Sequence, residues 1–448
     1  MGLGKTIEVL AYLVTCKEAF PCLIVAPLVT LINWQREIEK FIKQKKGKPY
    51  TVLTIRTGKT GDLLAGLEKQ PQIFLINYDL VSKRRDDLAA LPLQTIIADE
   101  VQNLRNPYAL KSEALRELAD IPTVKHRIGL SGTPCYNHGT EIWSICDFIY
   151  PGLLGNYSEF SREFVDQWDP HKSVYKDKRE ALFEILNQNI MLRRRKIDVL
   201  DLPEKVRYKQ TIQIDEEYYN KEMKKHIFEL QKKLDDAKAK TQFQKISEIA
   251  AYGDFQNNER QTAGISKVSY VAEFIDEIMD TGESVVVFCH HKIVHDMLKA
   301  RLRKYFPVVI RGGQTDRERQ CAIDCFQSGE TKLMITGLRA GNVGINLTKA
   351  TYVIFAELDW SPAIHRQAED RLHRFGQKKT VFAYYLEGVG TLDEKIAEIL
   401  VNKKLELDEI FGDANRSDKY SEADTLSEQT KQLVYTLQER FKKIPMLH

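Results

Sequence analysis

The sequence predicts an α/β protein built on parallel sheets. Two observations carry that expectation. Short, nearly continuous apolar runs alternate with longer stretches whose apolar residues recur every three or four positions, the order of strands and helices that gives a parallel sheet. The chemically distinctive residues fall just past the ends of apolar runs, where an open parallel sheet binds its ligands. A chain of 448 residues has room for two or three domains.

The chain opens with Met-Gly-Leu-Gly-Lys-Thr (Met1 to Thr6), followed by Ile7, Val9, Leu10, Leu13 and Val14 as the apolar face of a helix. This is the phosphate-binding end of a P-loop. Gly2 and Gly4 let the backbone approach an anion, and the amides of the helix start face it. Lys5 would reach the β- and γ-phosphates, and Thr6 would offer its hydroxyl to Mg²⁺. The full G-x-x-x-x-G-K-[ST] pattern and its feeding strand would begin before Met1, so a fragment or shortened start is expected. Alone, Gly-Lys-Thr is a weak signal, with a chance helix start as the lesser alternative.

Cys22 to Pro27 reads as a buried strand. A helix follows from about Leu31, with Trp34, Ile38, Phe41 and Ile42 inward. Thr51 to Arg56 and Gln72 to Asn77 are further strands. Thr95 to Ala98 ends directly in Asp99-Glu100, where Asp99 can hold Mg²⁺ and Glu100 can orient an attacking water. A turn or cap is the alternative there, but Lys5-Thr6 upstream favours a nucleotide site. Arg127 to Leu130 leads into Ser131-Gly132-Thr133-Pro134, whose hydroxyls could sense a γ-phosphate, or simply turn the chain.

Composition narrows the class. Hydrophobic residues make up 43% and charged residues 29%, as in a soluble globular protein. No apolar run reaches the roughly 18 residues of a membrane span, and no leader pattern is read. A net charge of +3 gives no general pull on nucleic acid, so a DNA surface would be local. The basic runs Lys43–Lys48, Lys83–Arg85 and Arg193–Lys196 are first of all solvated faces. The seven cysteines include no C-x-x-C pair. His290 and His291, read as neighbours on a strand, point to opposite faces and make a poor metal pair.

In this order the motifs resemble the Swi/Snf ATPases of helicase superfamily two. Met1–Thr6 resembles motif I; Ala26-Pro27 with Asn33-Trp34 and Glu37, motif Ia; and Asp99-Glu100-Val101-Gln102, motif II. Ser131–Pro134 with Asn137, Glu141, Trp143 and Phe148 resembles motif III and its helix. Met191 to Lys205 resembles the segment closing the first lobe. Glu283 to His291 is similar to motif IV, with Thr315, Arg319 and Phe326 at the family spacing after it. Leu338 to Thr348 is similar to motif V and Gln367 to Gln377 to motif VI. Val287–Lys292 and Val353–Trp360 look most like the annealing-helicase branch or its prokaryotic or viral relatives. Motif II departs from the usual Asp-Glu-Ala-His, and Gln102 is expected to hydrogen-bond across to motif III.

The resemblance implies two RecA-like parallel-sheet lobes with helical insertions between them. Residues 1–205 form the first ATP-binding lobe without its first strand, a central one in this fold. Residues 206–264 form a helical protrusion, 265–412 a second lobe with a brace helix, and 413–448 a polar helical tail. The protrusion shows one apolar stripe, Tyr219, Met223, Ile227, Leu230, Leu234 and Ala237. The cofactors implied are ATP and Mg²⁺. Gly2, Gly4, Lys5, Thr6 and Gly344 would bind the nucleotide, and Thr6 and Asp99 the metal. Lys5, Asp99, Glu100, Gln367, Arg371 and Arg374 would be catalytic. Arg371 and Arg374, three apart, are read on one helix face, with Arg374 preferred as the arginine finger and Arg371 second. The expected activity is DNA-stimulated ATP hydrolysis coupled to movement along double-stranded DNA, remodelling DNA–protein complexes or branched DNA, inside the cell. Loops after Pro27, after Asn77, around Gly312-Gly313 and at Gly341–Thr348 would grip phosphates, with Lys83, Arg84 and Arg85 adding charge. A DNA-bound protein is a further expected partner and a membrane is not. The alternatives are a strand-separating helicase on DNA or RNA, and an ATPase-dead DNA-binding fragment.

Overall fold

The computed structural model describes residues 3–43, 47–56, 66–68, 70–166, 173–238, 244–338 and 346–411. Gly2, Gly344 and the 413–448 tail lie outside them. The chain divides into two compact units. The first takes residues up to Trp168, then Lys172–Leu200, then the stretch from Leu405; the second takes chiefly Asp201–Lys404.

The first unit holds a five-stranded sheet in the order β2-β3-β1-β4-β5, made of Val52–Ile55, Ile73–Asn77, Cys22–Ala26, Thr95–Asp99 and His126–Leu130. Every pairing is parallel. The central β1 and β3 are buried throughout, which is why they read as unbroken apolar runs. Alternate residues feed two separate cores. Leu23, Val25, Phe74 and Ile76 pack on one face with Leu115, Phe148 and Phe160. Cys22, Ile24, Ile73 and Leu75 pack on the other with Leu10, Leu13, Trp34 and Ile38. The sheet is continuous from β2 to β5, and β5 is an edge on which most residues are only half-buried.

Both helices on that second face bury less than the sequence suggests. In the Lys5–Thr15 helix, Val9, Leu10 and Leu13 are buried, while Ile7 and Val14 are exposed. At about 100° per residue these two fall on the flank of the stripe. In the Leu31–Phe41 helix, Trp34 and Ile38 are buried, but Phe41 ends the helix half-exposed beneath the Lys40 ammonium.

The second unit holds a six-stranded parallel sheet, β6-β11-β10-β7-β9-β8, from Lys205–Ile212, Val381–Gly388, Tyr352–Phe355, Val285–Cys289, Leu333–Gly337 and Val308–Ile310. β6 corrects the expectation of a helical linker from residue 206: this stretch pairs along its whole length with β11. It was hard to see because only Ile212 of the strand is buried, so its apolar alternation is weak. Two long helices follow, Glu216–Lys238 and Gln244–Ser266, packed on each other through Tyr219, Met223, Ile227 and Leu230. The helix Leu392–Ile410 closes the described chain. Leu392, Ile396 and Leu400 belong to the second unit's core, and Leu407, Ile410 and Phe411 to the first unit's. No described helix is long and apolar enough to cross a membrane.

Candidate active site

In the first unit the site grows from three strand ends. Gly4 precedes the Lys5–Thr15 helix with φ of 84°, a left-handed conformation that glycine adopts without strain, and a Cβ there would meet nothing within 4 Å. The helix start is therefore open, with Lys5 and Thr6 at its head. Asp99 ends β4. Its Oδ2 accepts the Trp34 indole N–H at 2.8 Å and its Oδ1 the Glu100 amide at 3.0 Å. The Tyr78 hydroxyl donates to the Asp99 carbonyl at 2.7 Å. Burial and then the Glu100 charge push the Asp99 carboxyl up to about 6, while the Trp34 hydrogen bond and the charge of Lys5 pull it back. A carboxylate in that condition is neutral in part near pH 6 and gains from any cation placed beside it.

Glu100 has φ 51° and ψ 55°, left-handed for a residue with a side chain. Such a conformation costs on the order of 1–3 kcal/mol and persists only where its surroundings over-determine it. Here they do. Gln102 Nε2 donates to Glu100 Oε2 at 2.5 Å, and Asn103 Nδ2 to the Glu100 carbonyl at 2.8 Å. Gln102, 1% exposed, also accepts the Ser131 hydroxyl on Oε1 at 2.6 Å, and Ser131 Oγ accepts the Thr133 amide at 2.9 Å. The expected link from Gln102 to the Ser131 turn is present, and the glutamine makes it while holding Glu100. Gln102 Nε2 further reaches the Tyr136 hydroxyl at 3.3 Å. Neither Trp34 as the Asp99 partner nor Tyr136 was expected from the sequence.

In the second unit, Gln367 and Arg371 lie on the Pro362–Leu372 helix and are largely buried, at 3% and 8% exposure. Arg374 does not share their helix, which ends two residues before it. Its amide turns back to the Leu372 carbonyl at 3.1 Å, and Gln377 N to the Arg374 carbonyl at 2.9 Å. The expectation of one helix face for Arg371 and Arg374 is therefore corrected. The chain leaves the helix through His373 and returns at Gly376, whose φ is 99°. Burial draws the Arg374 guanidinium below its ordinary value, against the charge of Asp370.

That helix is held from behind. Glu369 is fully buried, and it accepts Lys205 Nζ at 2.8 Å, Arg207 at 2.6 and 2.7 Å, and the Tyr385 hydroxyl at 2.8 Å. Lys205, then Arg207, hold its carboxyl well below the usual range against the burial that would raise it. Gln377 Nε2 donates to the Thr348 and Ala350 carbonyls at 3.1 and 2.9 Å. His290 and His291 follow β7 rather than lying in it. Their rings stand 4.7 Å apart, and the His291 Nδ1 to Glu357 Oε1 distance is 2.6 Å, so the picture of opposed strand faces is corrected too. Of the basic run at 83–85, only Lys83 stays exposed without a described ion pair. Arg84 is buried against Asp87 at 2.6 Å, and Arg85 binds Asp86 and Glu117. Arg84 is therefore no source of surface charge.

The chain matches two family models, the SNF2-related domain over residues 1–259 and the helicase conserved C-terminal domain over residues 266–376. It is 32% identical over 438 residues to the Bacillus subtilis (strain 168) protein named "Putative ATP-dependent helicase/translocase YwqA", covering 93% of this chain and 46% of that one. It is 29% identical over 453 residues to the Xenopus tropicalis SWI/SNF-related matrix-associated actin-dependent regulator of chromatin subfamily A-like protein 1, covering 98% and 46%. A solved Sulfolobus solfataricus SWI2/SNF2 ATPase core in complex with dsDNA is similar at 26% identity over 97% of this chain and 91% of that one, with a TM-score of 0.41. The chain spans less than half the length of the two curated relatives. With the SNF2-related model covering more than half of its residues and the helicase C-terminal model following it, the chain belongs to the SNF2-related family of ATP-dependent helicases.

Proposed function

We propose that this chain is a DNA-stimulated ATPase that couples ATP hydrolysis to movement along double-stranded DNA. The observation that carries the reading is the hydrogen-bonded run from Glu100 through Gln102 to Ser131 and Thr133, which ties a candidate catalytic carboxylate to a small-residue turn, next to an Asp99 that feels the charge of Lys5. Amides at the head of the Lys5–Thr15 helix, Lys5 and Gly4 bind the phosphates. The hard oxygen donors of Thr6 and Asp99 fit Mg²⁺, and the raised Asp99 carboxyl is what a cation would restore to its charged form. Bound there, the ion would neutralise charge on the β- and γ-phosphates. Glu100, held by Gln102, orients the water. Arg374, with Arg371 second and Gln367 beside it, supplies from the second unit the cation that the reacting phosphoryl needs, a role that contributes on the order of 10³–10⁵ in rate elsewhere. Grip on DNA is by phosphates and independent of sequence. Gly312 and Gly313 support a place for it, since a Cβ on either would meet open space.

The test is ATP hydrolysis with and without linear duplex DNA, with Glu100→Gln as the blank and single-stranded DNA and RNA alongside. Stimulation by duplex that vanishes in the blank supports the reading. Absence of hydrolysis overturns it, and stimulation mainly by single strands or RNA, joined by unwinding of a tailed duplex, replaces it with a strand-separating helicase.

A further inference from the structure

The last turn of the final helix carries a carboxylate far from every motif in sequence. Glu406 is 4% exposed, and its Oε1 accepts two backbone amides of the first unit, Gly139 at 3.1 Å and Val174 at 3.0 Å. Gly139 admits this approach because it has no side chain. A Cβ there would run into Ile410, Val174 and Glu406 Oε1 together. Ile410 is fully buried, Arg179 pairs with Glu409 at 2.5 Å, and Arg193 reaches the Phe411 carbonyl. The apolar residues and flanking pairs alone would seat this turn. Burying a carboxylate costs several kcal/mol unless it is well hydrogen-bonded, so a carboxylate at this position adds fixed geometry more than adhesion.

What it fixes leads to the site. Gly139 opens the short turn Gly139–Glu141. The Glu141 carboxylate accepts the Tyr136 and Asn137 amides at 2.5 and 3.1 Å, and the Asn137 side chain at 3.2 Å. Tyr136 is thereby held at its amide, and the Arg105 guanidinium stands 5.1 Å from its ring centroid. Its hydroxyl meets Gln102 Nε2, the same nitrogen that holds Glu100.

We propose that Glu406 is a positioning residue for ATP hydrolysis: by pinning the backbone at Gly139 and Val174 it fixes the turn that places Tyr136 and, through Gln102, Glu100. The inference rests on the ATPase reading above. Glu406 touches neither phosphate nor water in this role, so its loss changes turnover rather than nucleotide binding.

The experiment compares full-chain wild type with Glu406→Ala, Glu406→Gln and Tyr136→Phe, measuring kcat and KM for ATP with duplex DNA and the unfolding temperature of each. Glu406→Ala is expected to lower kcat about tenfold with KM for ATP within about twofold, the pattern of a lost transition-state arrangement. Glu406→Gln keeps an acceptor oxygen for both amides and restores most of the rate. Tyr136→Phe leaves the clasp whole, breaks the link to Gln102, and lowers kcat severalfold with the unfolding temperature unchanged. Should Glu406→Ala fail to fold, the other two decide. Wild-type kcat in Tyr136→Phe, or in folded Glu406→Ala, overturns the proposal, as does Glu406→Gln falling as far as alanine. A wild-type chain that hydrolyses nothing overturns the ATPase reading as well, so the two failures are told apart.

Discussion

The two units hold their candidate residues by opposite means. In the first, the acidic side chains are tied to one another's neighbours across the mouth of the sheet: Trp34 to Asp99, Gln102 to Glu100, Ser131 to Gln102. In the second, the helix that carries Gln367 and Arg371 is anchored at its back, through Glu369 to Lys205, Arg207 and Tyr385, while its front leads on to Arg374. A network that includes the chemical groups couples their geometry and their charge: burial and then the Glu100 charge raise the Asp99 carboxyl, and the bond from Trp34 opposes them. A rear anchor fixes the helix, and the Arg374 guanidinium beyond it is drawn below its ordinary value by its own burial. The first arrangement suits groups that must sense the nucleotide, and the second suits a cation that has only to be delivered.

If that contrast holds, front and back of the second unit separate cleanly under mutation. Arg374→Ala, beyond the helix end and outside every core, should lower kcat by about 10³ and leave the unfolding temperature within experimental error. Turnover and thermal unfolding on the same preparation check it. Turnover within tenfold of wild type would remove Arg374 as the cation and move the role to Arg371. Glu369→Ala should do the reverse. It takes the buried acceptor from Arg207 and leaves Lys205 only Asp370 at 3.7 Å, and breaking a buried pair in this way costs about 3–5 kcal/mol. Denaturant unfolding measures that loss, and a change below about 1 kcal/mol would show that the anchor is not what holds the helix.

How much of this the sequence foretold follows the same division. All five strands of the first sheet were legible; β1, β3 and β4 were plainest, because buried parallel strands are near-continuous apolar runs. Strand β6 was not, because it lies at an edge, with Lys205, Arg207 and Lys209 turned to buried carboxylates, so its charges masked its pleat. The place of Asp99 and Glu100 was read from the apolar run they end, and the bond from Gln102 to Ser131 from the motif resemblance. Their partners Trp34 and Tyr136 were not, since a hydrogen bond between residues 65 or 34 positions apart leaves no periodic trace. The fate of Arg84 was hidden for a related reason: a basic run looks alike whether it faces water or, like this residue, folds inward onto Asp87.

The network of the first unit is tested at its middle. Gln102→Ala removes the donor to Glu100 and the acceptor for Ser131 together, while Asp99 keeps Trp34. A fall in kcat of about tenfold is expected, with KM for ATP little changed. Gln102→Glu should be worse than alanine, because a second carboxylate against Glu100 Oε2 raises the pKa of one of the pair. If alanine and glutamate variants turn over alike, Gln102 packs the turn and does not orient Glu100.

The last prediction concerns a carboxylate in neither set. Glu259, buried in the Gln244–Ser266 helix, accepts the Tyr219 hydroxyl at 2.6 Å and the Leu392 amide at 2.9 Å, both on Oε1, while its Oε2 is buried without a hydrogen-bond partner. Burial pushes its pKa up to about 7; the two hydrogen bonds and Arg260 oppose this, and Asp393 adds to it. Between the ordinary carboxylate value and about 7, the folded chain thus keeps a proton that the unfolded chain has released, so stability falls as pH rises through that window. Glu369 has the opposite shift, and its contribution is lost only as pH falls below the ordinary carboxylate range, so the two do not overlap. Asp99 in the first unit shares the sign of Glu259, while burial lowers the pKa of His290, His295 and His365 and gives the opposite slope, so only the difference between variant and wild type reports on Glu259. Glu259→Gln removes one titration and keeps the Oε1 acceptor, but buries an amide N–H₂ where Oε2 was. Its absolute stability is therefore a poor readout, and its slope a good one. Unfolding free energy from pH 5 to 8 should fall less steeply in the variant than in wild type, by on the order of 2 kcal/mol across the window. Parallel slopes would mean that Glu259 stays charged in the folded chain, and that its partners, not its proton, keep it there.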